Sequence, residues 1–149
     1  LQHHLRDFES WDIKILATDI SSKVLKHAID GCYEAKHIEP LQKSMVDNSF
    51  EKIVVNNEVK YQIKPLLRNK VTFRLYNLVT DPFFFKNSFD MIFCRNVMIY
   101  FDDPTRHHVV GRFAQLLPKG SPLFLGSSES LMAHKETLKL LGSSIYRKL

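Results

Sequence analysis

The feature that most constrains the fold is an apolar run that ends abruptly in a polar pair. Residues 89–94 read Phe-Asp-Met-Ile-Phe-Cys, Arg95 and Asn96 follow, and the chain continues with Val-Met-Ile-Tyr-Phe to Phe101. A short, nearly continuous apolar run predicts a strand covered on both faces, as in the parallel sheet of an α/β fold. In open α/β sheets, ligands bind beyond the carboxyl ends of the strands. Arg95 and Asn96 are therefore predicted to lie at a binding edge.

Polar or small residues also follow three other predicted strands. Asp19 ends the β-prone run 13–18, Asn77 and Leu78 follow the alternating run 71–76, and a Ser-Ser-Glu-Ser stretch containing Glu129 follows the run 121–126. Because the carboxyl ends of parallel strands meet at one edge of a sheet, these residues are predicted to gather along that edge.

The intervening segments carry start and stop signals for helices and turns. Ser21 is a predicted N-cap for a helix that stops at Gly31, and Asp102 with Pro104 predicts the start of a second helix. Residues 52–55 and 59–63 flank an Asn-rich turn and predict a β-hairpin. The last residues, 145–149, predict a closing edge strand.

On physical grounds alone, each candidate residue has two interpretations. The Asp19 carboxylate can accept hydrogen bonds from vicinal ribose hydroxyls, or it can cap a local turn. Asn77 can read an adenine edge, or occupy an ordinary turn. Arg95 and Asn96 must find partners or reach solvent. Tyr100 can stack on a base, or pack in the core between its apolar neighbours.

Composition excludes several other classes of function. The chain has 149 residues, 44% of them hydrophobic, which suits one domain, and no apolar run is long enough for a membrane span, so we expect a cytoplasmic protein with no membrane insertion. Neither its two cysteines nor its seven histidines have metal-ligand spacing, so no metal is expected. The net charge of +5 comes from dispersed basic residues, so no nucleic-acid partner is expected.

The sequence resembles the chemotaxis receptor glutamate O-methyltransferases, the CheR family. The resemblance rests on the run 89–101 and on four further stretches: Ile-Leu-Ala-Thr-Asp-Ile at 15–20, Gly-Cys-Tyr at 31–33, residues 71–78, and Gly-Ser-Ser-Glu at 126–129. It implies an α/β fold with the Rossmann-like sheet of a class I methyltransferase dependent on S-adenosylmethionine (AdoMet). Residues 1–149 would form a partial methyltransferase domain, into which residues 32–68 insert a small antiparallel β-subdomain.

The resemblance also implies roles for individual residues. Cofactor-binding roles fall on Asp19, Asn77, Leu78, Arg95, Asn96 and Tyr100, with Asp19 at the ribose and Tyr100 near the adenine. We expect Arg95 also to be catalytic, by orienting a carboxylate of the substrate or of the cofactor. The implied reaction forms glutamyl methyl esters on the cytoplasmic domains of methyl-accepting chemotaxis receptors and leaves S-adenosylhomocysteine. In some members of the family, the β-subdomain docks the receptor's carboxyl-terminal peptide.

The sequence departs from the family pattern at its amino terminus. The family has a small helical domain, a first strand and a glycine-rich loop, and none of these is recognisable here. The sheet is therefore expected to be truncated at its amino terminus, the chain alone to be weakly active or inactive, and the exposed sheet edge to favour a dimer or a strand swap.

Two alternative functions remain open from the residues. One is a methyltransferase for a small molecule or a nucleic acid, which would share Asp19 but need its own substrate-binding elements. The other is a non-catalytic module that docks receptor tails without turning over AdoMet.

Overall fold

The computed structural model describes residues 7–82, 85, 88–126 and 134–149. The chain divides into two units, Leu1–Asn77 and Leu78–Leu149. Unit 1 contains, in chain order, β1 (Ile15–Asp19), α1 (Ser22–Asp30), β2 (Cys32–Glu34), α2 (Ala35–Ile38), α3 (Lys43–Ser49), β3 (Phe50–Val55), β4 (Glu58–Ile63), α4 (Pro65–Arg68) and β5 (Val71–Leu75). A short 3₁₀ helix, Phe8–Ser10, precedes them.

Unit 1 contains the predicted strand-helix-strand arrangement. β1 and β5 pair in parallel, from Ile15 opposite Val71 to Asp19 opposite Leu75. Between them, α1 begins where the Ser21 hydroxyl accepts a hydrogen bond from the Val24 amide at 3.3 Å. It ends at Gly31, whose φ of 60° is accessible to glycine at little cost.

The remaining strands of unit 1 form a separate antiparallel sheet in the order β2-β4-β3. Its hairpin joins β3 to β4 through Asn56 and Asn57, which have φ angles of 52° and 62°. Positive φ at both central residues characterises a type I′ turn, in which asparagine is favoured. The predicted hairpin is therefore confirmed, with a turn one residue shorter than expected.

Unit 2 is built on a four-stranded sheet and one long helix. Its elements are β6 (Ile92–Cys94), a 3₁₀ helix (Met98–Tyr100), α5 (Asp103–Leu116), β7 (Pro122–Leu125), β8 (Leu138–Gly142) and β9 (Ile145–Lys148). The strand order is β6-β7-β9-β8. β6 and β7 are parallel, while β9 runs antiparallel to both of its neighbours.

One face of this sheet packs with α5 in a hydrophobic core. Among the residues of this core are Val109 and Phe113 from the predicted apolar face of α5, Cys94 and Leu123 from the parallel strands, and Met98. Val109 and Leu123 are fully buried, which fixes the helix against the strands.

Two sequence expectations about this sheet were wrong. The run 91–94 was expected to be covered on both faces, but Phe93 is 63% exposed and its ring stacks on that of Phe124, with centroids 4.4 Å apart. The strand predicted at 145–149 lies inside the sheet, since β8 pairs along its outer side. Local patterns specify a strand but not its neighbours, so the edge position was not predictable.

In the described part of the chain, no helix combines the length and apolar character needed to cross a membrane. Both cysteines are free thiols, Cys94 buried and Cys32 half-buried. The described residues also contain no cluster of three or more His, Cys, Asp or Glu side chains able to hold a metal ion.

Candidate AdoMet-binding site

In unit 1, Asp19 lies at the carboxyl end of β1, as predicted. Its carbonyl accepts a hydrogen bond from the Tyr76 amide at 3.0 Å, which ties the ends of β1 and β5 together. Its carboxylate Oδ1 accepts a hydrogen bond from the Ser21 amide at 2.7 Å. Both interpretations of Asp19 therefore remain compatible with the geometry, because each carboxylate oxygen can accept more than one hydrogen bond.

Asn77 and Leu78 follow β5 at the boundary between the two units. Asn77 is half-buried at the end of unit 1. Leu78 is half-buried at the start of unit 2 and packs against its hydrophobic core. The hydrophobic core of unit 2 therefore supports the Leu78 side chain on one side.

Arg95 and Asn96 come directly after β6, and both are exposed. The preceding Cys94 is buried, so the chain passes from core to solvent within one residue. Asn96 has a φ of 60°, a left-handed conformation in which Asn is several-fold enriched among non-glycine residues. The polar pair thus reaches solvent at the carboxyl end of the strand, where we predicted it.

Tyr100 is 80% exposed, in contrast to a core tyrosine. It ends the 3₁₀ helix whose first residue, Met98, is 1% exposed and anchors that turn in the core. The Tyr100 amide donates to the Val97 carbonyl at 3.2 Å, which holds the turn closed. Its ring is free of the core and accessible for stacking.

The fourth predicted strand end falls partly outside the described residues. β7 ends at Leu125, which lies opposite Cys94 in the parallel ladder with β6. Glu129 and the Ser127–Ser130 stretch lie outside the described residues.

Sequence reasoning missed Arg112, on α5. Its Nη1 donates to the Leu78 carbonyl at 2.8 Å and to the Val79 carbonyl at 3.4 Å, and its Nη2 donates to the Asp81 carbonyl. No local signal in the sequence marks this residue, because its acceptors lie 31 to 34 residues away along the chain.

A cleft of about 510 Å³ opens beside Arg112, again in unit 2. Its wall includes a stacked pair of rings, His107 and His134, with centroids 4.0 Å apart. The His134 ring nitrogen Nε2 lies 2.8 Å from the His107 carbonyl oxygen. A side chain at Gly111 would approach His134 to 3.2 Å, so the glycine makes room for this ring.

One titratable group in unit 2 has a shifted pKa with a clear cause. The pKa of Asp102 is lowered from its ordinary value of 3.8, chiefly because the Thr105 hydroxyl and then the Thr105 amide donate hydrogen bonds to its carboxylate. The amide contact is 3.0 Å long and caps the amino end of α5.

In unit 1, the end of β1 offers an acceptor that suits a nucleoside, because the Asp19 carboxylate can accept hydrogen bonds from ribose hydroxyls. In unit 2, taken by itself, the exposed Tyr100 ring offers a stacking surface.

Comparison with known proteins places these features in a family. Residues 1–147 match the family model described as CheR methyltransferase, SAM binding domain. A probable chemotaxis protein methyltransferase of Rhizobium etli is 39% identical over 139 residues, which cover 92% of this chain and 51% of the relative.

Two further relatives give the same result. The chemotaxis protein methyltransferase of Borreliella burgdorferi is 38% identical over 151 aligned positions, covering 99% of this chain and 50% of the relative. That of Escherichia coli K12 is 33% identical over 133 residues, covering 89% and 46%. The chain spans about half the length of the curated relatives it matches. It belongs to the CheR methyltransferase family, as a class I methyltransferase fold whose cofactor is AdoMet.

Proposed function

We propose that this chain forms the AdoMet-binding domain of an enzyme that methylates glutamate side chains of chemotaxis receptors. The observation that supports this most directly is in unit 1, where the half-buried Asp19 carboxylate ends a parallel strand and its Oδ1 is held by the Ser21 amide. A carboxylate oriented in this way is pre-organised to accept hydrogen bonds from ribose hydroxyls.

The proposed residue roles follow from each unit taken by itself. In unit 1, Asp19 binds the ribose, and Asn77 contributes hydrogen bonds to the adenine edge. In unit 2, Leu78 covers a face of the base, Asn96 lines the pocket and Tyr100 packs near the adenine. Arg95 orients a carboxylate through charge-assisted hydrogen bonds, which its exposure after β6 permits.

The proposed chemistry asks little of acid-base groups. When bound, AdoMet supplies an electrophilic methyl carbon, which a carboxylate oxygen of the receptor attacks while the sulfur–carbon bond breaks and leaves S-adenosylhomocysteine. A glutamate with a pKa near ~4.3 is already ionised at neutral pH. The main task of the protein is therefore alignment, which can contribute roughly 7–11 kcal/mol.

Three further features belong to this proposal. Residues 32–68 act as an inserted β-subdomain, and the β2-β4-β3 sheet lies within that range. The cytoplasmic domains of methyl-accepting receptors are the substrate, so the enzyme acts in the cytoplasm. The chain also associates as a dimer or a strand swap, through the edges of β1 and β6 that have no partner strand in the described part of the chain.

The test is methyl transfer from radiolabelled AdoMet to a purified receptor cytoplasmic domain. It should be run with this chain, and with a protein that carries this domain at the full length of the relatives. Methyl esters of glutamate release methanol in alkali, so alkali-labile label on the receptor is the expected result. Label on RNA, DNA or a small molecule would instead support the alternative methyltransferase.

A matched pair of variants tests the role of Arg95. In the full-length enzyme, Arg95→Ala should lower turnover sharply, while Arg147→Ala, at another exposed arginine, should leave it unchanged. Both are surface substitutions, so neither should alter stability by more than about 0.5 kcal/mol. Near-normal turnover of Arg95→Ala would remove Arg95 from the mechanism. If receptor binding persisted with no transfer by any form of the protein, the non-catalytic module would be the better account.

A further inference from the structure

The Arg112 side chain holds a segment of unit 2 that has no regular secondary structure. Residues 78–81 follow β5 and lie outside every strand and helix, so their carbonyls are not engaged in a sheet ladder or a helix. The half-buried guanidinium of Arg112 donates to three of these carbonyls, those of Leu78, Val79 and Asp81. Buried or half-buried carbonyls need such donors, because leaving them unpaired costs free energy.

The geometry requires arginine in particular. A guanidinium presents five N–H donors in a planar fork, so one side chain can serve several carbonyls at once. The lysine ammonium is a compact charge on a flexible stem and would hold fewer of these acceptors in one fixed arrangement. Residues 78–81 are therefore held by several N–H donors of one guanidinium, and not by its positive charge alone.

The helix that carries Arg112 is packed in the core of unit 2. Val109, one turn earlier on α5, and Phe113, the next residue, are 0% and 5% exposed. Leu78 and Val79, which accept hydrogen bonds from Arg112, pack against the same core. The position of residues 78–81 is therefore set by α5 and by the core that α5 forms with the sheet.

We propose that Arg112 is a positioning residue for the cofactor: by clamping residues 78–81 it fixes Leu78 and so sets the affinity for the nucleoside. This rests on the proposed function, in which Leu78 covers a face of the base. Arg112 acts through this residue and does not itself touch the cofactor.

The first arm of the test needs no ligand. Hydrogen exchange of the 149-residue chain should show faster exchange of the amides of residues 78–81 in Arg112→Gln, with the β6–β7 ladder unchanged. Arg106→Gln is the matched control, since Arg106 lies on the same helix and pairs with Asp103 at its surface. Unchanged exchange at residues 78–81 in Arg112→Gln would overturn the clamp.

The second arm measures binding of S-adenosylhomocysteine and of adenosine by calorimetry. Arg112→Gln should weaken both by about tenfold or more, equivalent to about 1.4 kcal/mol, at a temperature where circular dichroism shows that the variant is folded. Arg112→Lys should recover part of the loss, because lysine restores one donor at a time. A purely structural role would lower the thermal midpoint of Arg112→Gln and leave the affinity of the folded variant for both ligands unchanged.

The outcomes separate this inference from the proposed function. If wild type binds S-adenosylhomocysteine and Arg112→Gln binds equally well, the positioning role is overturned and the proposed function stands. If wild type binds neither ligand, the proposed cofactor site fails and the positioning role fails with it, whatever the exchange data show about the clamp.

Discussion

Asp102 shows how one residue can make the stability of unit 2 depend on pH. Hydrogen bonds from the Thr105 hydroxyl and amide lower its pKa below the ordinary value of 3.8. A lowered folded-state pKa means that the charged cap stabilises the fold above the unfolded-state pKa. This contribution is lost as the pH falls through the folded-state pKa.

The prediction is that Asp102→Ala lowers the thermal midpoint at neutral pH, and that its difference from wild type shrinks towards about pH 2. Thermal unfolding followed by circular dichroism at a series of pH values measures this. Asp102→Asn is the control, since it keeps an acceptor for the Thr105 amide but cannot titrate. A wild-type advantage that stayed constant into acid would contradict the role of the charge.

For the individual candidate residues, solvent exposure was predictable only where a polar or charged residue interrupts an apolar run. Arg95 and Asn96 interrupt an apolar strand, and a charge at that point had either to find a partner or to reach solvent; the structure shows both residues exposed. Tyr100 lies between Ile99 and Phe101, so the local pattern favoured a core position, whereas the ring is 80% exposed. Arg112 was missed because its acceptors lie 31 to 34 residues away in sequence.

The hairpin of β3 and β4 depends on its two turn residues. Asn56 and Asn57 both have positive φ, a conformation that costs most L-residues roughly 1–2 kcal/mol and glycine almost nothing. We predict that Asn57→Val destabilises unit 1 by about 1 kcal/mol, whereas Asn57→Gly does not. Urea denaturation measures both variants.

A control for the hairpin prediction comes from the neighbouring strand. Val54 is exposed on β3 with ordinary strand geometry, so Val54→Thr should change the midpoint little. Equal behaviour of Asn57→Val and Asn57→Gly would show that the turn does not limit the stability of the hairpin.

Elements with local signals were predictable and their arrangement was not. The caps at Ser21 and Asp102 specify where α1 and α5 begin, and both helices start there. By contrast, β8 was missing from the strands predicted, although Leu138-Lys139-Leu140 alternates and Ser143-Ser144 forms a turn with positive φ before β9. The position of β9 inside the sheet depends on the pairing of β8 with β9.

At the scale of the whole molecule, apolar side chains are exposed at strands that have one partner strand among the described residues. β6 pairs there with β7, and Phe93 on this strand is 63% exposed. β1 pairs there with β5, and Ile15 on it is also exposed. Unpaired edges with exposed apolar residues template association with another chain.

We therefore predict concentration-dependent association of the 149-residue chain, measurable by sedimentation velocity. Phe93→Lys should reduce it, because a lysine on an edge strand opposes pairing. Ile29→Lys, an exposed apolar position on α1, is the control and should leave association unchanged. A monomer at every concentration would contradict the proposed dimer or strand swap.

The central claim is that this chain binds the nucleoside of AdoMet through Asp19, and calorimetric titration with S-adenosylhomocysteine tests it most directly. Asp19→Asn is the sharpest variant, since its amide oxygen can still accept the hydrogen bond from the Ser21 amide while the charge is removed. We predict that wild type binds and that Asp19→Asn weakens binding by about tenfold or more, because hydrogen bonds to a charged group contribute ~1.5–3 kcal/mol. Equal binding by the two proteins, or none by wild type, would contradict it.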